Sequence, residues 1–142
     1  MHEEELKKLL ADHEAIKQHI RHICAIAPRL VTDMLEDAIP CPRKQPGVLT
    51  VIGAGESFSL ILGERTVVFA VSMQLTAREH QARIQIGLHR NLGIGDAVVT
   101  PLGTVELGTT GLANWAQARY DTTNPDDLRE FLAYALLLAM LH

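Results

Sequence analysis

The histidines and the cysteine near residue 20 have the closest spacing for metal binding in this sequence. His19 and His22 lie three residues apart, so in a helix they share a face where two imidazoles could bind zinc. Cys24 points to another side of the same helix, and no second pair of ligands with metal spacing follows. The sequence therefore predicts no metal site.

A second set of reactive side chains flanks a predicted strand. His80 and His89 lie at its two ends and Asp96 follows in the next loop, so with a serine they could form a hydrolytic triad. The available serines are Ser57, Ser59 and Ser72. There is no G-x-S-x-G elbow and no glycine-rich oxyanion loop. We expect no catalytic residue and no enzyme; the alternative is a small-molecule-binding or hydrolytic domain with a pocket near His80, His89 and Trp115.

Two short Gly-x-Gly segments, residues 53–55 and 93–95, could suggest a phosphate loop. A phosphate cradle needs a glycine loop that leads from a strand into the N-terminus of a helix. Both segments lead into predicted strands, so they are interpreted as turns, and no cofactor is expected.

Five residues are candidates for binding a partner. Arg83 and His89 share one face of a predicted strand, and Arg90 follows it, so these side chains could contact an acidic surface or a phosphate, or could simply be solvated. Trp115 and Tyr120 lie in an irregular stretch, and aromatic residues there are typical of interfaces. Trp115 could instead close one end of the sheet.

Composition narrows the classes of function. The 142-residue chain has a net charge of −4, which disfavours nucleic acids and anionic membranes as partners and leaves another protein. Its two cysteines have no disulfide-type spacing, and its first residues are acidic where a signal peptide would be basic. The longest apolar run, residues 136–141, is too short to span a bilayer. We expect a cytoplasmic protein.

The first element predicted is a helix over residues 3–26, because apolar residues recur there at alternating steps of three and four. Pro28 removes a backbone donor, so we expect a break or kink near Ala27 and a second helical piece from Arg29 to about Asp37. The heptad-like seam could pack on the chain's own sheet, on a second subunit, or on both.

After a Pro-rich linker, alternation with period two predicts an antiparallel sheet. Strands are expected at residues 48–52, 56–62, 65–75 and 82–89, and a two-residue turn at Gly63-Glu64 pairs Leu62 with Arg65. A fifth strand begins at Ala97 and either ends at Pro101 or lies at an edge, and residues 104–107 form a possible sixth.

Leu112, Trp115, Ala116 and Arg119 have the spacing of a short helix. Asn124 and Pro125 then mark the start of a C-terminal helix that runs to about Leu141. The predicted fold is α+β in one domain, 1–142: a helical segment at 1–38, an antiparallel, meander-like sheet of five or six strands at 47–107, and a helix at 125–142.

Both terminal helices have more apolar surface than one sheet needs, and large exposed apolar patches mark interfaces. The sequence therefore favours a non-catalytic protein-binding module of the adaptor, chaperone, immunity or inhibitor type that acts as a homodimer. The expected interface residues are Leu6, Leu9, His13, Ile16, Ile20, Ile23, Leu138 and Leu141.

Overall fold

A computed structural model describes residues 1–38, 57–62, 65–75, 80–90 and 98–142. Several predicted features lie outside the described residues. They are the strand at residues 48–52, the linker before it, both Gly-x-Gly segments, Asp96, and the turn residues Gly63 and Glu64.

The described elements are two helices and six strands, which confirms the predicted α+β class with an antiparallel meander. Helix α1 (His2–Ala38) precedes the sheet and helix α2 (Pro125–Leu141) follows it. The strands pair in chain order: β1 (Ser57–Leu62), β2 (Arg65–Leu75), β3 (His80–Arg90), β4 (Val98–Gly108), β5 (Leu112–Trp115) and β6 (Ala118–Asp121). Neither helix is both long enough and apolar enough to cross a membrane in the part of the chain that the structure describes.

Helix α1 is one uninterrupted helix with Pro28 inside it, so the predicted division into two pieces is wrong, while the kink remains a prediction. The side-chain hydroxyl of Thr32 donates to the carbonyl of Pro28 at 2.7 Å. Ile23, Ala27 and Val31 are buried on either side of the proline, and this packing holds the helix across the lost hydrogen bond.

The predicted register of the first hairpin is confirmed. Leu62 pairs with Arg65, Leu60 with Val67 and Phe58 with Phe69. Alternate residues of β1 and β2 therefore share a face, and the two phenylalanine rings of the last pair stack with centroids 4.3 Å apart. This face is the core, because Phe58, Leu60, Val67 and Phe69 are all buried.

Strand β4 runs through Pro101 to Gly108 and includes the proposed sixth strand, so the alternative that the strand ends at Pro101 is wrong. Strand β5 pairs only with Val105–Leu107, so the part of β4 around Pro101 has β3 as its one partner among the described strands. A missing backbone donor is tolerated at such a local edge. The register shifts beside Gly87, where Leu102 is an extra residue on β4.

The short helix predicted around residues 112–119 is wrong, and the sheet extends to Asp121 instead of ending at 107. Strands β5 and β6 form a tight hairpin in which Trp115 pairs with Ala118. Ala116, the first residue of the two-residue turn, has φ +54°. Glycine is the usual residue at such a turn position, so the sequence lacks the signal that marks a hairpin.

The predicted start of α2 is confirmed. Asn124 is the N-cap, its side-chain oxygen accepts from the backbone N–H of Asp126 at 3.0 Å, and Pro125 is in the first turn. At the other end, Arg65 Nη1 donates to the carbonyl oxygens of Ala139 and Met140 at 3.0 and 3.2 Å. A cation from the sheet thus stabilises the negative end of a helix whose own last turn has no basic residue.

Both helices pack on the same face of the sheet and form one core with it. The core faces of β2, β3 and β4 carry Val67, Phe69, Ala82, Ile84, Ile86, Leu88, Val105 and Leu107, and all of them are buried. Ile16, Ile20 and Ile23 of α1 and Leu128, Phe131 and Leu132 of α2 belong to the same cluster. The opposite face of the sheet is not covered by either helix.

Candidate binding surface on the uncovered sheet face

The sheet face that neither described helix covers carries the side chains that alternate with the core residues. Cross-strand pairing aligns Ser72 with Arg83, Arg83 with Glu106, Glu106 with Asn114, and Asn114 with Arg119. These five residues form one row across β2 to β6, which we call the polar row. Neighbouring strands lie about 4.8 Å apart, so adjacent members of the row are within reach of each other.

Toward the other end of β3 the same face becomes less polar. Val68 pairs with Gly87 and Gly87 with Pro101, and His89 pairs with Val99 one step further along. Val99 keeps 55% of its surface exposed. A Cβ placed on Gly87 would meet Val99 Cγ1 at an ordinary contact distance of 3.6 Å, so the glycine leaves room beside the valine.

Three adjoining cavities, which together we call the outer trough, begin on this face, and the third also reaches Lys8 and Asp12 of α1. The apolar cavity, of about 350 Å³, includes Val68, Gly87 and Val99 and shares Gln85 and Thr104 with its neighbour. The middle cavity, of about 430 Å³, contains Arg83.

The third cavity of the outer trough, of about 680 Å³, shares Glu106 and Asn114 with the middle one and includes Arg119 and His80. The shared residues make the trough continuous across the sheet. Its lining thus passes from Val68 and Val99 at one end to charged side chains at the other.

Two of the five predicted partner-binding residues, Arg83 and His89, lie on this face. This agrees with the sequence, because residues an even number of positions apart on a strand point to the same side. Arg83 Nε is buried and has no hydrogen-bond partner in the described structure. Arg119 Nε donates to the side-chain oxygen of Asn114 at 3.1 Å, which orients its guanidinium along the polar row.

The other three predicted residues lie on the core side. Trp115 is only 4% exposed and packs against Phe131 and Tyr134, with ring centroids 5.6 and 4.7 Å away. Tyr120 packs edge-on against Phe131 at 5.5 Å, and desolvation, followed by the charges of Tyr134 and Glu130, raises the pKa of its phenol. Arg90 pairs with Arg65 at the end of the sheet near the end of α2. These three residues are therefore removed from the candidate surface.

His80 contributes to the structure in a way that the sequence did not indicate. Its ring Nδ1 hydrogen-bonds to the Asp12 carboxylate, which joins α1 to the start of β3. Both residues line the third cavity, where the described hydroxyl side chains are Thr109 and Thr110 and no serine or cysteine is present. The described acid partner of His80 thus comes from α1.

The histidines named in the sequence do not converge. His80 and His89 lie at opposite ends of β3, about 30 Å apart at the strand rise per residue, and Trp115 is in the core. His19 hydrogen-bonds through Nε2 to the carbonyl of Thr109 at 2.9 Å, whereas Cys24 is buried. No group of three His, Cys, Asp or Glu residues suited to a metal ion occurs within the described ranges.

The predicted interface residues divide into buried and accessible sets. Ile16, Ile20 and Ile23 are buried in the chain's own core, so a second copy cannot reach them while that core is intact. Leu9, His13 and Leu138 are half-buried, and Leu6 and Leu141 are exposed. The predicted interface did not include Leu10 of α1 or Leu137 and Met140 of α2, and all three are exposed.

Comparison of this chain with models of protein families, with curated proteins and with solved structures finds no match.

Proposed function

We propose that this chain is a non-catalytic protein-binding module of the adaptor, chaperone, immunity or inhibitor type, and that it acts as a homodimer in the cytoplasm. The observation that carries the proposal is the exposure of the first turns of α1. Leu6 and Leu10, one turn apart, are 54% and 57% exposed. Clustered exposed leucines are typical of surfaces that bind another protein.

The lengths of the elements explain why these leucines have no partner among the described parts of the chain. Helix α1 has 37 residues and is about 55 Å long, whereas the longest strands have 11 residues and extend about 36 Å. The sheet therefore covers only part of the helix. The buried stretch starts at Ile16, and residues 1–8 are all exposed.

A second copy of the chain is the partner that the exposed segment fits. Leu6, Leu9 and His13 continue the same seam that packs on the sheet from Ile16 onward, and Leu10 widens it. Two such segments that face each other across a twofold axis would cover both sets of leucines. The cytoplasmic location is supported by the two cysteines without disulfide-type spacing.

Sedimentation equilibrium tests this proposal. We expect the wild-type chain to have twice the chain mass of 15.6 kDa at high micromolar concentration. The double variant Leu6→Glu/Leu10→Glu should be a folded monomer, because it places charge on both exposed leucines. The control Ala11→Glu/Gln18→Glu adds the same charge at exposed positions on the side of α1 that faces away from the buried Ile16 and Ile20, and it should remain dimeric. A monomeric wild-type chain would contradict the proposal.

Ile20→Glu, although Ile20 belongs to the predicted interface, is not a test of dimerisation. Ile20 is fully enclosed by the core, so a carboxylate there has no partner and the chain should unfold.

The alternative function, a small-molecule or hydrolytic pocket, lacks comparable support because His80, His89 and Trp115 lie on different parts of the molecule.

A further inference from the structure

We propose that the outer trough binds an extended peptide segment of a partner protein, with an acidic side chain of that segment on Arg83 and apolar side chains over Val68 and Val99. This inference rests on the proposed protein-binding function and adds the place and the chemistry of the partner. It concerns a different surface from the leucines at the start of α1.

The charge of the polar row selects an acidic side chain. Arg83 lies next to Glu106 and Arg119 lies two strands further along, so the row carries two positive charges and one negative charge. Glu106 forms no ion pair with either arginine among the described residues. A guanidinium binds a carboxylate through two parallel hydrogen bonds, and a partner carboxylate would balance the excess charge.

Apolar side chains fit the opposite half of the trough. Val99 is more than half exposed, Val68 is half-buried, and Pro101 presents its ring on the same face. Because Gly87 has no side chain, this end of the trough stays open between Val99 and His89. Covering Val68 and Val99 removes apolar surface from water, which favours binding by roughly 25 cal/mol for each Å².

The shape of the trough favours a peptide over a small molecule. Arg83 and His89 are six residues apart on β3, which corresponds to about 20 Å, or the length of about six extended residues. Among the described residues, only strand residues and the turn residue Ala116 line the apolar and middle cavities, whereas Lys8 and Asp12 of α1 also line the third cavity. A small ligand is usually 70–90% or more buried in its pocket, and a one-sided surface cannot enclose it to that extent. A longer chain gains its contacts along the surface instead.

Phage display tests the inference. The full-length chain is immobilised, and binders are selected from a library of random dodecapeptides. We expect enriched peptides to carry Asp or Glu about six positions from a cluster of apolar residues. Synthetic copies should lose at least tenfold in affinity for Arg83→Gln, and likewise for Gly87→Leu, which fills the apolar end without a positive φ. The control Arg29→Gln, which removes an exposed arginine on α1, should bind like the wild-type chain.

Three results would overturn the inference: no enrichment, enrichment without acidic residues, or equal affinity for Arg83→Gln and the wild-type chain. Calorimetric binding of decanoate to the trough with no enriched peptide would also overturn it, in favour of a small amphipathic carboxylate. Sedimentation of the same samples separates this inference from the homodimer. A dimer that selects no peptide contradicts the trough alone, and a monomer that selects acidic peptides contradicts the dimer alone.

Discussion

At the scale of single residues, Cys24 shows how burial changes reactivity. Its side chain is 3% exposed within the core, and desolvation raises the pKa of the thiol from 9.0 to about 11. The thiolate is the reactive form of cysteine, so both access and ionisation oppose modification in the folded chain.

We predict that in a Cys41→Ser variant, where Cys24 is the one remaining thiol, iodoacetamide at pH 8 labels the chain only after denaturation by guanidinium. Mass spectrometry of the labelled chain measures this directly. Rapid labelling of the native variant would contradict the placement of Cys24 in the core.

The raised pKa of Cys24 also predicts how stability depends on pH. The folded chain holds the thiol proton more tightly than the unfolded chain does, so the free energy of unfolding should decrease from pH 9 to 11.

Gly103 is a second residue whose identity depends on the tertiary structure. It has φ +151°, and a Cβ there would lie 2.4 Å from Trp115 Nε1 on the neighbouring strand. The close approach of the indole ring to the backbone beside the β4 bulge therefore requires glycine. No local signal in the sequence links this glycine to a tryptophan twelve residues later.

At the scale of elements, the β5–β6 hairpin was missed because its turn contains Ala116 where glycine is usual. A positive φ costs a non-glycine residue about 1–2 kcal/mol, and glycine costs roughly 0.5–1 kcal/mol in lost chain entropy. We predict that Ala116→Gly raises the free energy of unfolding by about 0.5–1 kcal/mol, measured by urea denaturation.

The matched control for this hairpin is Gln117→Gly, the other residue of the turn. Ala116 is the one non-glycine residue with positive φ in the described chain, so Gln117 has no such strain to relieve. Gln117→Gly should therefore lower stability. If both glycine variants destabilise the chain equally, the assigned turn geometry is wrong.

Helix α1 shows the same balance between local signal and packing. Pro28 predicted a break, since it removes one backbone hydrogen bond and clashes with the preceding turn. The buried residues Ile23, Cys24, Ala27 and Val31 keep the helix continuous through this region. Burial of apolar side chains on both sides of a proline can outweigh its local cost of about 3 kcal/mol.

At the scale of the whole molecule, the sheet has one face in the core and one face that neither described helix covers. Phe69 and Val68 are neighbours on β2, yet Phe69 stacks on Phe58 and packs near Phe131, whereas Val68 lines the outer trough. Their substitution therefore tests the two-layer arrangement.

We predict that Phe69→Ala destabilises the chain by about 3–5 kcal/mol, because it leaves a cavity in the core. Val68→Ala should cost about 1 kcal/mol or less. Urea denaturation monitored by circular dichroism measures both variants. Similar losses for the two would show that the outer face is also buried and would remove the basis for the trough.

Much of the architecture was readable from local patterns. Period-two alternation identified β1, β2 and β3 and the register of their first hairpin, and the Asn124-Pro125 pair identified the start of α2. These features depend on residues close in sequence, whose alternation and capping chemistry act over a few positions. The shared face of Arg83 and His89 on β3 followed from the same alternation.

Only the tertiary structure decided which apolar residues are accessible and which polar residues meet. It enclosed Ile16, Ile20 and Trp115, left Leu6 and Leu10 exposed, paired His80 with Asp12, and aligned Arg83 with Arg119 across four strands. Each of these outcomes depends on contacts between elements distant in sequence. Such contacts are set by the length and placement of whole helices and strands, which a periodic pattern within one segment does not encode.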